Sequence, residues 1–152
     1  MKTLSKVIFI FLISIGFLSL TSTDHIPSKQ IKQETNYKKV IITLSFENGE
    51  FLIKDSQGNP FDSNNPEDFT TYISPGGKIK WVSGDNIKSF KIRIDSGMDI
   101  FEDLPANLDN VNCFAKMANK RQGEAKYSII YTTKFSNKSF TIDPKLRLKE
   151  HA

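Results

Sequence analysis

The feature that most constrains this chain is a set of short apolar runs with a period of two residues. In Val40–Phe46 every second residue is a large apolar one, and Ser89–Ile94 repeats the pattern. Successive side chains of a β-strand point to opposite faces of its sheet, so this period predicts strands with one buried face. Asn48-Gly49 follows the first run and predicts a tight hairpin into Phe51–Lys54, because both residues tolerate a positive φ.

Similar runs, separated by turn residues, continue along the rest of the chain. Phe69–Ile73 and Lys78–Val82 flank Pro75-Gly76-Gly77 and predict a second hairpin-like pair, whereas Asp95–Asn110 is the least regular stretch. Val111–Met117 fits either a strand or a helix, and the strand is favoured. The other segments are two strands, Tyr127–Thr133 and Ser139–Leu148, across a turn at Ser136-Asn137, and an exposed turn-rich loop, Asp55–Pro66. The pattern predicts an all-β, antiparallel Greek-key β-sandwich of about seven to eight strands.

The first 23 residues have the composition of a cleavable signal peptide. Lys2 and Lys6 precede an uncharged apolar run, Val7–Leu20, which small and hydroxyl residues follow. The run is shorter than the about 20 apolar residues of a spanning helix, so export is favoured over an uncleaved membrane anchor. Residues 24–36 are polar and predict a flexible leader, which leaves 37–149 as a single β-sandwich domain. The protein is thus predicted to be secreted or periplasmic, with no membrane span after signal cleavage.

The charge balance and the single cysteine narrow the range of functions. The formal net charge is +4, and removal of Lys2 and Lys6 leaves an excess of about two basic residues, too few to indicate nucleic acid binding. Cys113 has no second cysteine with which to form an intrachain disulfide, and we predict that it is buried. Trp81 is predicted to lie in the core, because Lys78 and Lys80 occupy the other face of its strand.

The segment Gly77–Ile92 (GKIKWVSGDNIKSFKI) resembles a strand pair of the cupredoxins, the small blue-copper sandwiches. Trp81-Val82 and the turn Gly84-Asp85-Asn86 fit that family's run of residues. Gly123–Ile129 (GEAKYSI) is similar to its last strand pair, with a tyrosine at the aromatic position. The resemblance covers roughly Val40–Leu148 and implies a cupredoxin-like fold, with an immunoglobulin-like sandwich as the alternative.

The same resemblance implies that the copper ligands are missing. Ser89 stands where the family has a ligating histidine, Ile129 stands at the cysteine position, and Tyr131–Leu148 contains neither the second histidine nor the axial methionine. A blue-copper centre needs two imidazoles and a thiolate, whereas His25 and His151 lie near the two ends of this chain. We therefore predict no copper site and no cofactor.

Two other chemistries have candidate residues. Asp95, Asp99, Glu102 and Asp103 crowd one stretch and could share acid and base roles in a hydrolytic enzyme, although a solvated acidic loop is favoured. A calcium site without the spacing of an EF-hand is the other possibility, with oxygen ligands from Asp55, Gln57, Asn59, Asp62 and Asn64. A serine or cysteine nucleophile would need a histidine in the core, and neither histidine lies in a predicted strand.

The sequence therefore predicts an exported, non-catalytic module with a binding or structural role in the envelope or outside the cell. Asp55–Pro66 and Asp95–Asn110, as loops on a rigid scaffold, are the candidate contacts with an unknown protein or glycan partner. The hydrolytic enzyme and the calcium-binding module remain as alternatives. Asn137-Lys138-Ser139 is a glycosylation sequon if the host has a eukaryotic secretory pathway.

Overall fold

The computed structural model describes residues 37–120 and 122–149. The predicted signal peptide (1–23), the predicted leader (24–36), and His25 and His151 lie outside the described residues. The described part contains ten strands and two short 3-10 helices, Pro66–Asp68 and Met98–Ile100. The strands are β1 (Lys39–Glu47), β2 (Glu50–Asp55), β3 (Thr70–Ile73), β4 (Lys78–Ser83), β5 (Ile87–Ser96), β6 (Phe101–Asn107), β7 (Asn112–Met117), β8 (Gln122–Thr133), β9 (Ser136–Ile142) and β10 (Lys145–Lys149).

The strands form two five-stranded sheets. The first sheet has the order β2-β1-β4-β7-β6, and the second has the order β3-β10-β8-β5, with β9 paired to the remaining length of β8. Most pairs are antiparallel, but β1 pairs with β4 and β3 pairs with β10 in parallel. The all-β sandwich is confirmed, with ten strands rather than seven to eight and with two parallel pairs that the sequence pattern did not indicate.

A single hydrophobic core lies between the sheets. Trp81 on β4 has no exposed surface, and its ring meets that of Tyr127 on β8 edge to face, with the centroids 5.6 Å apart. At the other side of the core Phe51 on β2 stacks on Tyr131 of β8 at 4.2 Å. Each of these contacts joins one sheet to the other. Cys113 on β7 is also fully buried, so the predicted burial of both Trp81 and Cys113 is confirmed.

The two predicted hairpins have different outcomes. The β1–β2 hairpin is confirmed, because Asn48 and Gly49 have φ values of 53° and 87° and Glu47 pairs with Glu50. The hairpin expected around Pro75-Gly76-Gly77 is wrong, because β3 belongs to the second sheet and β4 to the first. Both strands carry one apolar face, and the short connection takes the chain from one sheet to the other instead of back alongside β3.

Two further segments differ from the sequence prediction. Asp95–Asn110 is not an irregular loop, since it includes the second 3-10 helix and the edge strand β6, whose mostly exposed residues show no apolar period. The final hairpin turns at Lys134-Phe135 rather than at Ser136-Asn137, and its second arm is divided into β9 and β10. Pro144 lies at this division, where a residue without an N–H interrupts the ladder. The strand preferred for Val111–Met117 is confirmed as β7.

Within residues 37–120 and 122–149 there is no helix whose length and apolar character would let it cross a membrane.

Candidate functional site

The outer face of the second sheet presents a group of charged side chains at its centre. On β8, Ala125 and Tyr127 point into the core, so Lys126 and Ser128 point to the other side. Ser128 pairs in register with Arg93 on β5, and Lys126 pairs with Lys145 on β10. Three strands that are far apart in the sequence therefore bring these residues to one place.

Arg93, Asp95 and Ser128 form a closed set of hydrogen bonds. The Arg93 Nε donates to Asp95 Oδ1 at 2.9 Å, and an Arg93 terminal nitrogen donates to Ser128 Oγ at 2.8 Å. The Ser128 hydroxyl in turn donates to Asp95 Oδ2 at 2.6 Å. Burial alone would raise the pKa of Asp95, but the hydrogen bonds from Ser128 and Arg93 and the Arg93 charge outweigh it and lower that pKa. The Asp95 carboxylate is thus held ionised, as a fixed negative charge beside a fixed positive one.

These three residues line a cleft of about 400 Å³. Its other lining residues are Glu67, Lys126, Asp143 and Lys145. Among the described residues none of these four makes an ion pair within 4 Å. Lys126 and Lys145 face each other directly across two strands, an arrangement of like charges that destabilises a sheet. The cleft therefore suits a polar ligand that itself carries charges of both signs.

The structure separates the acidic residues proposed for a hydrolytic site. Asp95 lines the cleft, but Asp99 pairs with Lys120 at 2.7 Å and Glu102 pairs with Lys116 at 2.5 Å. The hydrogen bond and the charge of Lys120 lower the pKa of Asp99. Asp103 is exposed on β6. Acid catalysis at neutral pH needs a carboxyl whose pKa is raised, and the pKa values of Asp95 and Asp99 are shifted the other way.

Two of the residues proposed for calcium, Asp55 and Asp62, accept hydrogen bonds from their own loop, and Asp55 also accepts one from β3. The Asp55 carboxylate accepts from the backbone N–H groups of Gln57 and Asn59, both at 3.0 Å, and from Thr71 Oγ1 at 3.1 Å. Asp62 likewise accepts from the backbone N–H of Asn64 at 2.9 Å. No group of three or more His, Cys, Asp or Glu side chains that could hold a metal ion occurs within the described ranges.

The positions that the cupredoxin resemblance assigns to copper ligands do not converge. Ser89 lies on the outer side of β5, where its hydroxyl is 2.7 Å from that of Thr132. Ile129 is fully buried on the opposite, core-facing side of the same sheet. Burial raises the pKa of the only cysteine, Cys113, to about 12, so its thiol is protonated at neutral pH.

The cleft was missed at the sequence level. The alternation of Lys145, Arg147 and Lys149 with leucines does indicate a strand with one charged face. The strand pairing that places this face beside Arg93 and Lys126 joins segments that lie far apart along the chain. Periodicity within one segment carries no information on which strands become neighbours.

Comparison with known proteins leaves the family of this chain open. No protein-family model and no curated protein matches it. Among solved structures, it is similar to an inclusion body protein (PixA) from Burkholderia cenocepacia J2315, at 10% identity and a TM-score of 0.39, over 78% of this chain and 97% of that one. It is also similar to amebosin, at 15% identity and a TM-score of 0.27, over 53% and 88% of the two chains. The cupredoxin resemblance stays a prediction.

Proposed function

We propose that this chain is an exported, non-catalytic binding module that holds its ligand in the cleft on the outer face of the second sheet. The observation that carries the proposal is the set of four charged residues, Glu67, Lys126, Asp143 and Lys145, that line the cleft without an ion pair to any described residue. Glu67, Lys126 and Asp143 are exposed and Lys145 is half-buried, and all four line one cleft next to the buried Ser128.

The ligand group that matches this lining carries a negative and a positive charge together. A carboxylate between Lys126 and Lys145 would relieve their mutual repulsion. An ammonium group would be attracted by the carboxylates of Glu67 and Asp143. The free ends of a peptide and an amino acid both have this chemistry. The ligand could thus be a small molecule or the exposed end of a protein partner.

The state of the reactive groups supports binding over catalysis. The Ser128 hydroxyl donates to a carboxylate whose pKa is lowered, which makes that carboxylate a poor base. The raised pKa of Cys113 and its burial keep the thiol unreactive. We also expect no thiolate-to-copper absorption band when Cu²⁺ is added to the secreted protein, since Cys113 is buried and its raised pKa keeps the thiol protonated.

Calorimetric titration with triglycine and its two blocked forms tests this proposal. Triglycine carries both charges, N-acetyl-triglycine only the carboxylate, and triglycine amide only the ammonium. The proposal predicts that triglycine binds more tightly than either blocked form, and that Lys126→Ala and Lys145→Ala each weaken its binding several-fold. Lys91→Ala is the matched control, because Lys91 is an exposed lysine of β5 that does not line the cleft. Equal affinities for all three peptides, or an equal loss in the Lys91→Ala control, would reject the proposal.

A further inference from the structure

The outer face of the first sheet carries a row of lysines across its three central strands. Lys39 on β1 pairs in register with Lys78 on β4, and Lys78 pairs with Lys116 on β7. The residues next to them in each strand are buried, so the three lysine side chains point away from the core. Like charges directly opposite each other destabilise a sheet. Because β1, β4 and β7 lie between β2 and β6, these lysines do not protect a sheet edge from pairing with another chain.

Two more lysines extend this row along the same face. Lys80 follows Lys78 by two residues on β4, and its Nζ lies 5.0 Å from the centroid of the Phe114 ring on β7. Lys54 is an exposed residue of β2 that pairs in register with Thr43 of β1. Side chains two residues apart on a strand share one face of the sheet. The basic patch defined in this way consists of Lys39, Lys54, Lys78, Lys80 and Lys116.

The acidic residues of the first sheet's outer face lie at the margins of the basic patch. The central strands β4 and β7 contain no acidic residue, and β1 contains only Glu47 at its end. Glu102 and Asp103 lie on the edge strand β6, and Asp109 lies in the turn that follows it. Glu102 pairs with Lys116 at 2.5 Å, whereas the other four lysines make no ion pair within 4 Å among the described residues. Positive charge is thus concentrated at the centre of this face.

We propose that the basic patch binds an acidic polysaccharide, a linear chain that carries an acid group on each sugar. Neighbouring strands lie about 4.8 Å apart, so the row of lysines presents positive charges at intervals close to the length of one sugar unit. An acid group between two directly opposed lysines, such as Lys39 and Lys78, would offset the repulsion between them. A narrow chain can follow the lysines and avoid the carboxylates at the margins.

Two other polyanions fit the basic patch less well. Proteins that bind single-stranded nucleic acids stack the bases on aromatic side chains. The aromatic ring within the basic patch is that of Phe114, and the Lys80 ammonium lies over it. An anionic membrane is a broad surface, and it would bring its headgroups against the acidic residues of β6 as well as against the lysines. The distribution of charge therefore favours the narrow polysaccharide chain.

Calorimetric titration of the secreted protein with a short oligogalacturonate, which has one carboxylate on each sugar, tests the proposal. The fully methyl-esterified oligomer is the matched ligand, because it keeps the sugars and removes the charges. The acid form is predicted to bind several-fold more tightly than the ester, and its affinity should fall as salt is added. Lys78→Ala and Lys80→Ala should each weaken its binding several-fold. Lys91→Ala on β5 and Lys126→Ala in the cleft are the matched controls, and they should leave it unchanged.

Thermal denaturation of the same proteins separates a loss of binding from a loss of the fold. Because Lys78 lies opposite two other lysines, the Lys78→Ala protein should melt no lower than the parent. Equal affinities for the acid and the ester, or an equal loss of affinity in the Lys126→Ala protein, would overturn the proposal. An oligodeoxythymidylate, or vesicles of phosphatidylcholine and phosphatidylglycerol, that bound more tightly than the oligogalacturonate at the same salt concentration would overturn it too.

Discussion

Trp81 shows how far a single residue could be predicted from the sequence. Its strand alternates lysines with Ile79 and Trp81, and the structure buries both apolar residues completely. The indole N–H lies 3.5 Å from the Tyr127 hydroxyl, and burial raises the pKa of Tyr127 above its ordinary range. The sequence predicted the burial of Trp81 because alternation fixes the face of a side chain. It did not predict Tyr127 as the partner, because the partner lies on the other sheet.

Replacement of Trp81 should remove a large part of the stability of the domain. We expect Trp81→Ala to lower the free energy of unfolding by about 3–5 kcal/mol, since the cavity lies in the centre of the core. Phe114→Ala, on the outer face of the first sheet, should cost no more than about 1 kcal/mol. Urea denaturation of the two proteins measures both. A Trp81→Ala protein as stable as the Phe114→Ala protein would show that the indole does not support the core.

The lowered pKa of Asp95 predicts how the stability of the fold depends on pH. Because its pKa is lower in the folded protein than in the unfolded chain, it stabilises the fold above its unfolded pKa of about 3.9. That stabilisation is lost as the pH falls through the lower, folded pKa. Asp95→Asn should therefore flatten the fall in melting temperature between about pH 5 and pH 2. Asp68→Asn, at a carboxylate without a hydrogen-bond partner in the described structure, is the control, and an identical flattening there would contradict the assignment.

At the scale of the elements, local signals predicted some features and not others. Asn48-Gly49 specified the β1–β2 hairpin because the turn itself demands two positive φ values. The connection from β3 to β4 has only Gly76 with a positive φ, and nothing in it reveals that the two strands part into different sheets. The sequence pattern did not predict β6, because an edge strand whose two faces are mostly exposed to solvent has no apolar period. The cleft depends on the pairing of β5, β8 and β10, so it could not be predicted from any one segment.

A pair of glycines separates the effect of backbone strain from that of close packing between elements. Gly58 and Gly97 have similar φ values, 77° and 74°, but a Cβ at Gly58 would meet no atom within 4 Å, whereas one at Gly97 would lie 2.1 Å from the Glu124 carbonyl oxygen. Gly58→Ala should cost about 1–2 kcal/mol from the left-handed conformation alone. Gly97→Ala should cost clearly more, because β8 must move. Equal losses in thermal denaturation would show that β8 yields to the added methyl group.

At the scale of the whole molecule, export is the prediction from which the compartment of the cleft follows. The apolar run Val7–Leu20 ends in Thr21-Ser22-Thr23, without a cysteine that could accept a lipid. We predict a mature N-terminus between Thr21 and Asp24. N-terminal sequencing of the protein recovered outside the cytoplasm determines it. Recovery of the chain with Met1 intact in the membrane fraction would instead indicate an anchor.

The two-sheet architecture holds the charged cleft in place before any ligand binds. The core between the sheets holds the second sheet rigid, and the outer face of that sheet displays the fixed Arg93–Asp95 pair beside four charges that have no ion-pair partner among the described residues. Side chains held on strands keep their spacing without a ligand, so little ordering opposes binding. The most direct test is therefore whether the ligand binds at this cleft.

Backbone amide chemical shifts recorded while triglycine is added measure that position. Binding in the cleft predicts that the largest changes fall at residues 93–95 of β5, at 126–128 of β8, and at Asp143 and Lys145, on either side of Pro144. N-acetyl-triglycine amide, which has no charges, should leave these signals unchanged. Changes confined to residues 55–66, or equal changes with the uncharged peptide, would contradict the assignment of the cleft as the binding site.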